Sequence, residues 1–88
     1  TPIMGVQLDM QYTGEGARVA DVTSGSPADT AGVQAGDTIV AINDRPVADS
    51  TEVIVQVRAQ EPGDTLALTV QRGGQTMTIP VTLESSSE

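Results

Sequence analysis

The chain has no cysteine, no histidine and no lysine, and a single tyrosine is its only aromatic residue. Each absence removes a class of function. Without cysteine there is no disulfide to staple the fold and no thiolate to hold zinc, although zero cysteine fits either redox compartment. Without histidine the commonest metal ligand and general base are gone, so a Ser-His-Asp hydrolase cannot be built within these residues and a metalloenzyme has little to be built from. The serines gather in turns and at the C-terminal end, with no base to activate one. No cofactor is called for. Positive charge comes from four isolated arginines, Arg18, Arg45, Arg58 and Arg72, so no basic patch is available for nucleic acid or an anionic membrane. No apolar run approaches transmembrane length and no signal-peptide pattern is present, so any targeting segment or anchor of an exported protein would lie outside this stretch.

What is present is short, acidic and aliphatic. The 88 residues suit one small domain, and such a chain buries only roughly 60–65% of its unfolded surface. Its core must be packed from Val, Ile, Leu, Ala and Met. The formal charge of −8 is spread along the chain as a solvated, solubilising surface.

The first dozen residues carry the most suggestive pattern. Met4-Gly5-Val6 is an apolar-Gly-apolar loop, and Val6, Leu8 and Met10 then alternate with Gln7, Asp9 and Gln11 in the period-2 pattern of a half-buried strand. A residue without Cβ at Gly5 lets successive backbone amides converge on one spot, a nest for an anion. The same glycine could equally do no more than relieve strain where a strand begins.

Ala17–Val22 resumes as a strand antiparallel to the first, with a mixed pattern that defines its state but not its face. Ser26-Pro27 places a cap before a first-turn proline and opens a short helix that ends at Gly32. Thr38–Ile42 is almost continuously apolar and reads as the most buried strand. Asp49 and Glu52 form a capping box for a second helix that runs to about Gln60, ahead of the Pro62-Gly63 breaker. On it Val53 and Val57 face the core. Ser50, Ile54 and Arg58 form a neighbouring stripe that either faces a groove or widens the core stripe and leaves Arg58 in solvent. Leu66, Leu68 and Val70 alternate in a strand, Gly73-Gly74 turns a tight hairpin, and Met77, Ile79, Val81 and Leu83 alternate on the return. Pro80 assigns that return strand to an edge or a bulge. The whole is an α+β domain over residues 1–84, a partly open sandwich or barrel of five to six strands with one short and one longer helix, followed by a polar, frayed tail over 85–88.

From Ile3 to about Leu83 the chain resembles PDZ domains, and more closely those of HtrA/Deg-type serine proteases. The resemblance is carried by Ile3-Met4-Gly5-Val6, Ser26-Pro27-Ala28, Ala31-Gly32-Val33-Gln34-Ala35-Gly36-Asp37, Ile39-Val40-Ala41-Ile42-Asn43 and Arg45-Pro46-Val47. A carboxylate loop that opens the chain and a strand that closes it look like the permuted bacterial order. The resemblance implies a non-catalytic peptide-binding module that takes C-terminal or extended peptides by strand addition, inside a parent serine endopeptidase of extracytoplasmic quality control. It would deliver substrate to the protease or regulate it. The alternative is an assembly module of a secretion apparatus, or of an intramembrane or carboxy-terminal-processing protease. By the same resemblance, the loop Ile3, Met4, Gly5, Val6 and the strand Gln7, Leu8 bind the ligand main chain, with the Met4, Gly5 and Val6 amides on its carboxylate. Val6, Leu8, Ile54 and Val57 line the last side-chain pocket, and Ser50 and Arg58 face positions further back. Partners are peptides with an apolar last residue and the parent's protease domain, the domain alone is a monomer, and the parent is a homo-oligomer. Two departures stand out: Ile3 replaces the aromatic or glycine of many relatives, and no conspicuous basic residue lies beside the loop. Carboxylate binding then rests on backbone amides and water, with micromolar affinity of about −7 to −8 kcal/mol.

Overall fold

A computed structural model describes residues 2–9, 11, 12 and 14–85; Thr1, Met10, Thr13 and the last three residues of the tail lie outside the described part. The chain begins with β1 (Pro2–Ile3), β2 (Val6–Leu8) and β3 (Ala17–Val22). It continues through α1 (Pro27–Ala31), β4 (Thr38–Ile42), β5 (Arg45–Pro46) and α2 (Ser50–Arg58). It closes with β6 (Thr65–Arg72), β7 (Gln75–Thr82) and β8 (Glu84–Ser85). The two helices start where their caps place them. Ser26 accepts from the Asp29 amide at 3.3 Å with Pro27 in the first turn, and Asp49 accepts from the Glu52 amide at 3.0 Å. Gly32 closes α1 in the left-handed conformation, and α2 stops at Ala59, just before the Pro62 breaker.

The antiparallel sheet runs in the order β2-β3-β4-β6-β7, with β5 paired to β4, and β1 pairs separately with β8. Two short pairings were not visible as strands in the sequence. β5 folds back on β4 through Asn43 and Asp44, both at positive φ, and β8 carries pairing as far as Ser85, one residue past the boundary drawn at 84. β4 lies at the centre and none of its residues is exposed, as its apolar run requires. The ambiguous face of β3 has a cause. Leu8 pairs with Val19 but Gln7 pairs with Asp21, so Ala20 is an extra residue on β3. This bulge shifts the alternation, and inward side chains pass from Ala17 and Val19 to half-buried Val22.

The core is a single aliphatic cluster in which Ala17, Val19, Ile39, Ile42, Leu66, Leu68, Val70 and Val81 are sealed from solvent. One carboxylate joins it. Asp37 is 1% exposed and accepts from Arg72 Nε at 2.7 Å and Nη2 at 2.6 Å, and from the Gln34 amide at 3.0 Å. Arg72 also donates to the Gly32 carbonyl at 3.0 Å, tying the end of α1 and the turn before β4 to the tip of the β6–β7 hairpin. The hydrogen bonds from Arg72 hold the Asp37 carboxyl below its ordinary range against the opposing effect of burial, with help from the Gln34 amide and the guanidinium charge.

Candidate functional site

β2 is the free edge of the sheet, and the pairing determines which of its groups are free. The Thr23 amide donates to the Gly5 carbonyl at 2.8 Å and the Asp9 amide to the Arg18 carbonyl at 2.9 Å. These bonds bracket Val6 opposite Val22 and Leu8 opposite Val19, which makes both of them non-hydrogen-bonded pairs. Val6 and Leu8 therefore turn their N–H and C=O groups outward, away from β3. An extended chain could add there.

The loop at the head of β2 is held from behind. The Ala28 amide donates to the Met4 carbonyl at 2.9 Å, while the Gly5 carbonyl receives the Thr23 amide and, at 3.4 Å, the Ser26 hydroxyl. Across a trans peptide the N–H points opposite to the C=O. With the carbonyls of Met4 and Gly5 drawn inward, the amides of Gly5 and Val6 face outward in succession, the geometry of an anion nest. This gives the Ser26-Pro27-Ala28 segment a physical role: the residues that start α1 also orient the loop. Gly5 is required twice over. Its φ is +86°, and a Cβ there would collide with the Ser26 side chain.

Beside β2 lies a cleft of about 400 Å³ lined by Met4, Gly5, Val6, Leu8, Val53, Ile54, Val57 and Arg58. Its walls are thus the first strand and one face of α2, as the groove alternative for the second stripe requires. Val57 and Val53 are buried and form the floor, and Ile54 is half-buried at the side. Val53 was assigned by its spacing to the core alone. Its position one turn from Val57 was the available signal, because a floor residue of a surface cleft is also a core residue.

The remaining candidates fall elsewhere. Gln7 is exposed and its side chain alternates away from the cleft. Ile3 supplies main chain to β1 opposite Glu84, and its side chain lies outside the described part. Ser50 is buried and its hydroxyl donates to the Asp9 carbonyl at 3.4 Å, so it joins α2 to the far end of β2 instead of lining the cleft. That contact also orients the helix. Ser50 sits at the Asp9 end, and Arg58, eight residues or about 12 Å further along α2, reaches the Met4-Gly5 end. Arg58 is therefore beside the loop and not further back along the groove. The expectation that no basic residue lies beside the loop is therefore corrected: α2 runs antiparallel to β2 and brings Arg58 into the cleft lining with Met4 and Gly5.

A family model described as PDZ domain matches residues 2–83. The chain is 34% identical over 86 residues to the serine protease PepD of Mycobacterium tuberculosis, covering 97% of this chain and 18% of that protein. It is 36% identical over 80 residues to the periplasmic pH-dependent serine endoprotease DegQ of Escherichia coli, covering 91% and 17%. The chain thus spans less than a fifth of the length of these relatives. Among solved structures, the HtrA3 PDZ domain bound to the phage-derived ligand FGRWV superposes with a TM-score of 0.83 at 28% identity, over 96% of this chain and 86% of that one. The HtrA-type protease AlgW with a decapeptide superposes with a TM-score of 0.84 at 26% identity, over 94% of this chain and 29% of that one.

Proposed function

Because the chain belongs to the PDZ domain family, we propose that it is the non-catalytic peptide-binding module of an HtrA/Deg-like serine protease outside the cytoplasm. It takes the C-terminal or extended segments of misfolded proteins as a strand added to β2, and so delivers them to the protease or regulates it. The observation that carries the reading is the coincidence of three features at one edge. Val6 and Leu8 offer main-chain groups outward, the cleft beneath them is aliphatic, and outward amides at Gly5 and Val6 close one end. An extended ligand running antiparallel to β2 would bring its terminal carboxylate to those amides and its last side chain over Ile54 and Val57.

An aliphatic last residue suits these walls, since the cleft offers it no polar partner apart from the loop and Arg58. The ligand solved on the HtrA3 PDZ domain ends in valine, in keeping with that preference. The placement outside the cytoplasm rests on relatives such as the periplasmic DegQ. The test is calorimetric titration of the 88-residue chain with an N-acetylated pentapeptide ending in valine, as the free acid and as the amide. The acid is expected to bind with micromolar affinity and the amide at least about tenfold more weakly, the loss of a charge-assisted contact. Equal binding of both would remove the carboxylate from the mechanism and leave internal strand addition.

A further inference from the structure

We propose that Arg58 is the charge partner of the ligand's terminal carboxylate, completing from the end of α2 a nest that the loop alone makes only with backbone amides. The inference rests on the peptide-binding reading above and deepens it. Arg58 lines the same cleft as Met4, Gly5 and Val6. It is the sole cation of that lining, in a chain with no lysine. Its guanidinium is uncommitted: among the described residues the one salt bridge is Arg72 to Asp37, and Arg58 is exposed.

Electrostatics gives the loop a need for such a residue. The chain carries −8 overall, so an approaching carboxylate is repelled at long range. The C-terminal end of α2 also lies at the loop end of the groove, and the helix dipole presents partial negative charge to the same spot. Two amides offer only partial positive charges in return. Arg58, in the last turn of α2, offsets the helix end and adds a full charge that can donate two parallel hydrogen bonds to a carboxylate.

The test is a cycle with the N-acetylated, otherwise uncharged peptide ending in valine, its amide, and an amide ending in glutamate. Each is titrated against the wild-type chain, R58Q and R58K, with circular dichroism confirming the folded state. In the wild type the acid is expected to bind more tightly than the amide. In R58Q that ratio should fall by roughly two- to fivefold, the range for a solvent-accessible charge pair, and R58K should restore part of it. Salt provides a second readout. Raising sodium chloride from about 20 to about 500 mM should weaken the acid on the wild type, where a local ion pair is screened. It should leave unchanged or strengthen the acid on R58Q, where only the repulsion of the acidic domain is screened.

An acid-to-amide ratio that is the same in wild type and R58Q would overturn the role of Arg58 and leave the peptide-binding reading intact. A wild type that ignores amidation would overturn both. If the glutamate-ending amide binds like the free acid, Arg58 recognises a side-chain carboxylate, and the proposal for the terminus fails.

Discussion

The two edges of the main sheet are opposites. At one end β2 is only three residues long, yet it presents the main chain of Val6 and Leu8 beside an aliphatic cleft. At the other end β7 runs for eight residues, long enough to recruit a stranger, and is protected. The Leu83 amide donates to the Asp64 carbonyl at 2.8 Å, which makes Thr65 opposite Thr82 a non-hydrogen-bonded pair and, two steps on, Ala67 opposite Pro80 another. The nitrogen of Pro80 therefore faces the outside, where its missing N–H costs the sheet nothing and removes a donor from the edge. Exposed Thr76, Thr78 and Thr82 alternate along the strand, and α1 packs beside it. Apolar content does not distinguish the edges, since both strands turn aliphatic residues toward the core, Val6 and Leu8 in β2 and Ile79 and Val81 in β7. What distinguishes them is whether outward main-chain groups lie beside a cleft or are withdrawn.

The largest effect should come from destroying the open edge at its head. Gly5→Ala combines a left-handed backbone with a collision against Ser26, and should weaken binding of the valine-ending acid by about thirtyfold or more, roughly 2 kcal/mol. Gly25→Ala is the control: it carries a similar φ of +78° but meets open space, so it should lower the melting temperature and leave affinity unchanged. Full affinity in a folded Gly5→Ala protein would refute the nest.

On the protected side, Asp37→Asn should lower unfolding free energy by about 2 kcal/mol at pH 7 in urea titrations. Arg72 is 32% exposed in its side chain, which keeps the loss below that of a fully buried ion pair. Peptide affinity per folded molecule should not change, because the pair lies away from the cleft. The carboxyl of Asp37 is depressed in the folded state, so its contribution is complete above the ordinary unfolded value of about 3.9 and is lost as pH falls through the lower folded value. The stability gap between wild type and Asp37→Asn should accordingly close in acid. A gap that persists or widens there would mean the pair contributes little.

Smaller effects separate the cleft from the core. Ile54→Ala should reduce affinity for the valine-ending acid about fivefold and cost under about 1 kcal/mol of stability, because Ile54 is only half-buried. A larger loss of stability than of affinity would place Ile54 in the core. The smallest effect should follow from Pro80→Thr, which restores a donor at the outer edge of β7. Stability should change by less than about 0.5 kcal/mol, while sedimentation at high concentration should reveal self-association that the wild type lacks. Unchanged sedimentation would show that α1 and the threonines protect the edge without the proline.

Much of this architecture could be read in advance wherever a signal is local. The caps at Ser26 and Asp49, the glycine hairpin at Gly73-Gly74 and the edge proline at Pro80 each act within a few residues of themselves. β3 resisted because a bulge at Ala20 is a property of two strands together. Ser50 and Arg58 share one helical stripe, and their spacing holds no information about which end of the helix meets the loop.

Composition and local pattern by themselves determined that this is one small aliphatic α+β domain without histidine or cysteine chemistry, and where its helices, hairpin and protected edge lie. These follow from backbone sterics, capping and periodicity, which act over one or two turns of chain. Only the tertiary structure decided that Asp37 is neutralised by Arg72, 35 residues away, and that the start of α1 turns the loop amides outward. It alone brings Arg58 beside Gly5. Such pairings depend on chain direction and on which strands become neighbours, and a buried or convergent charge leaves no local trace until the fold has removed the water around it.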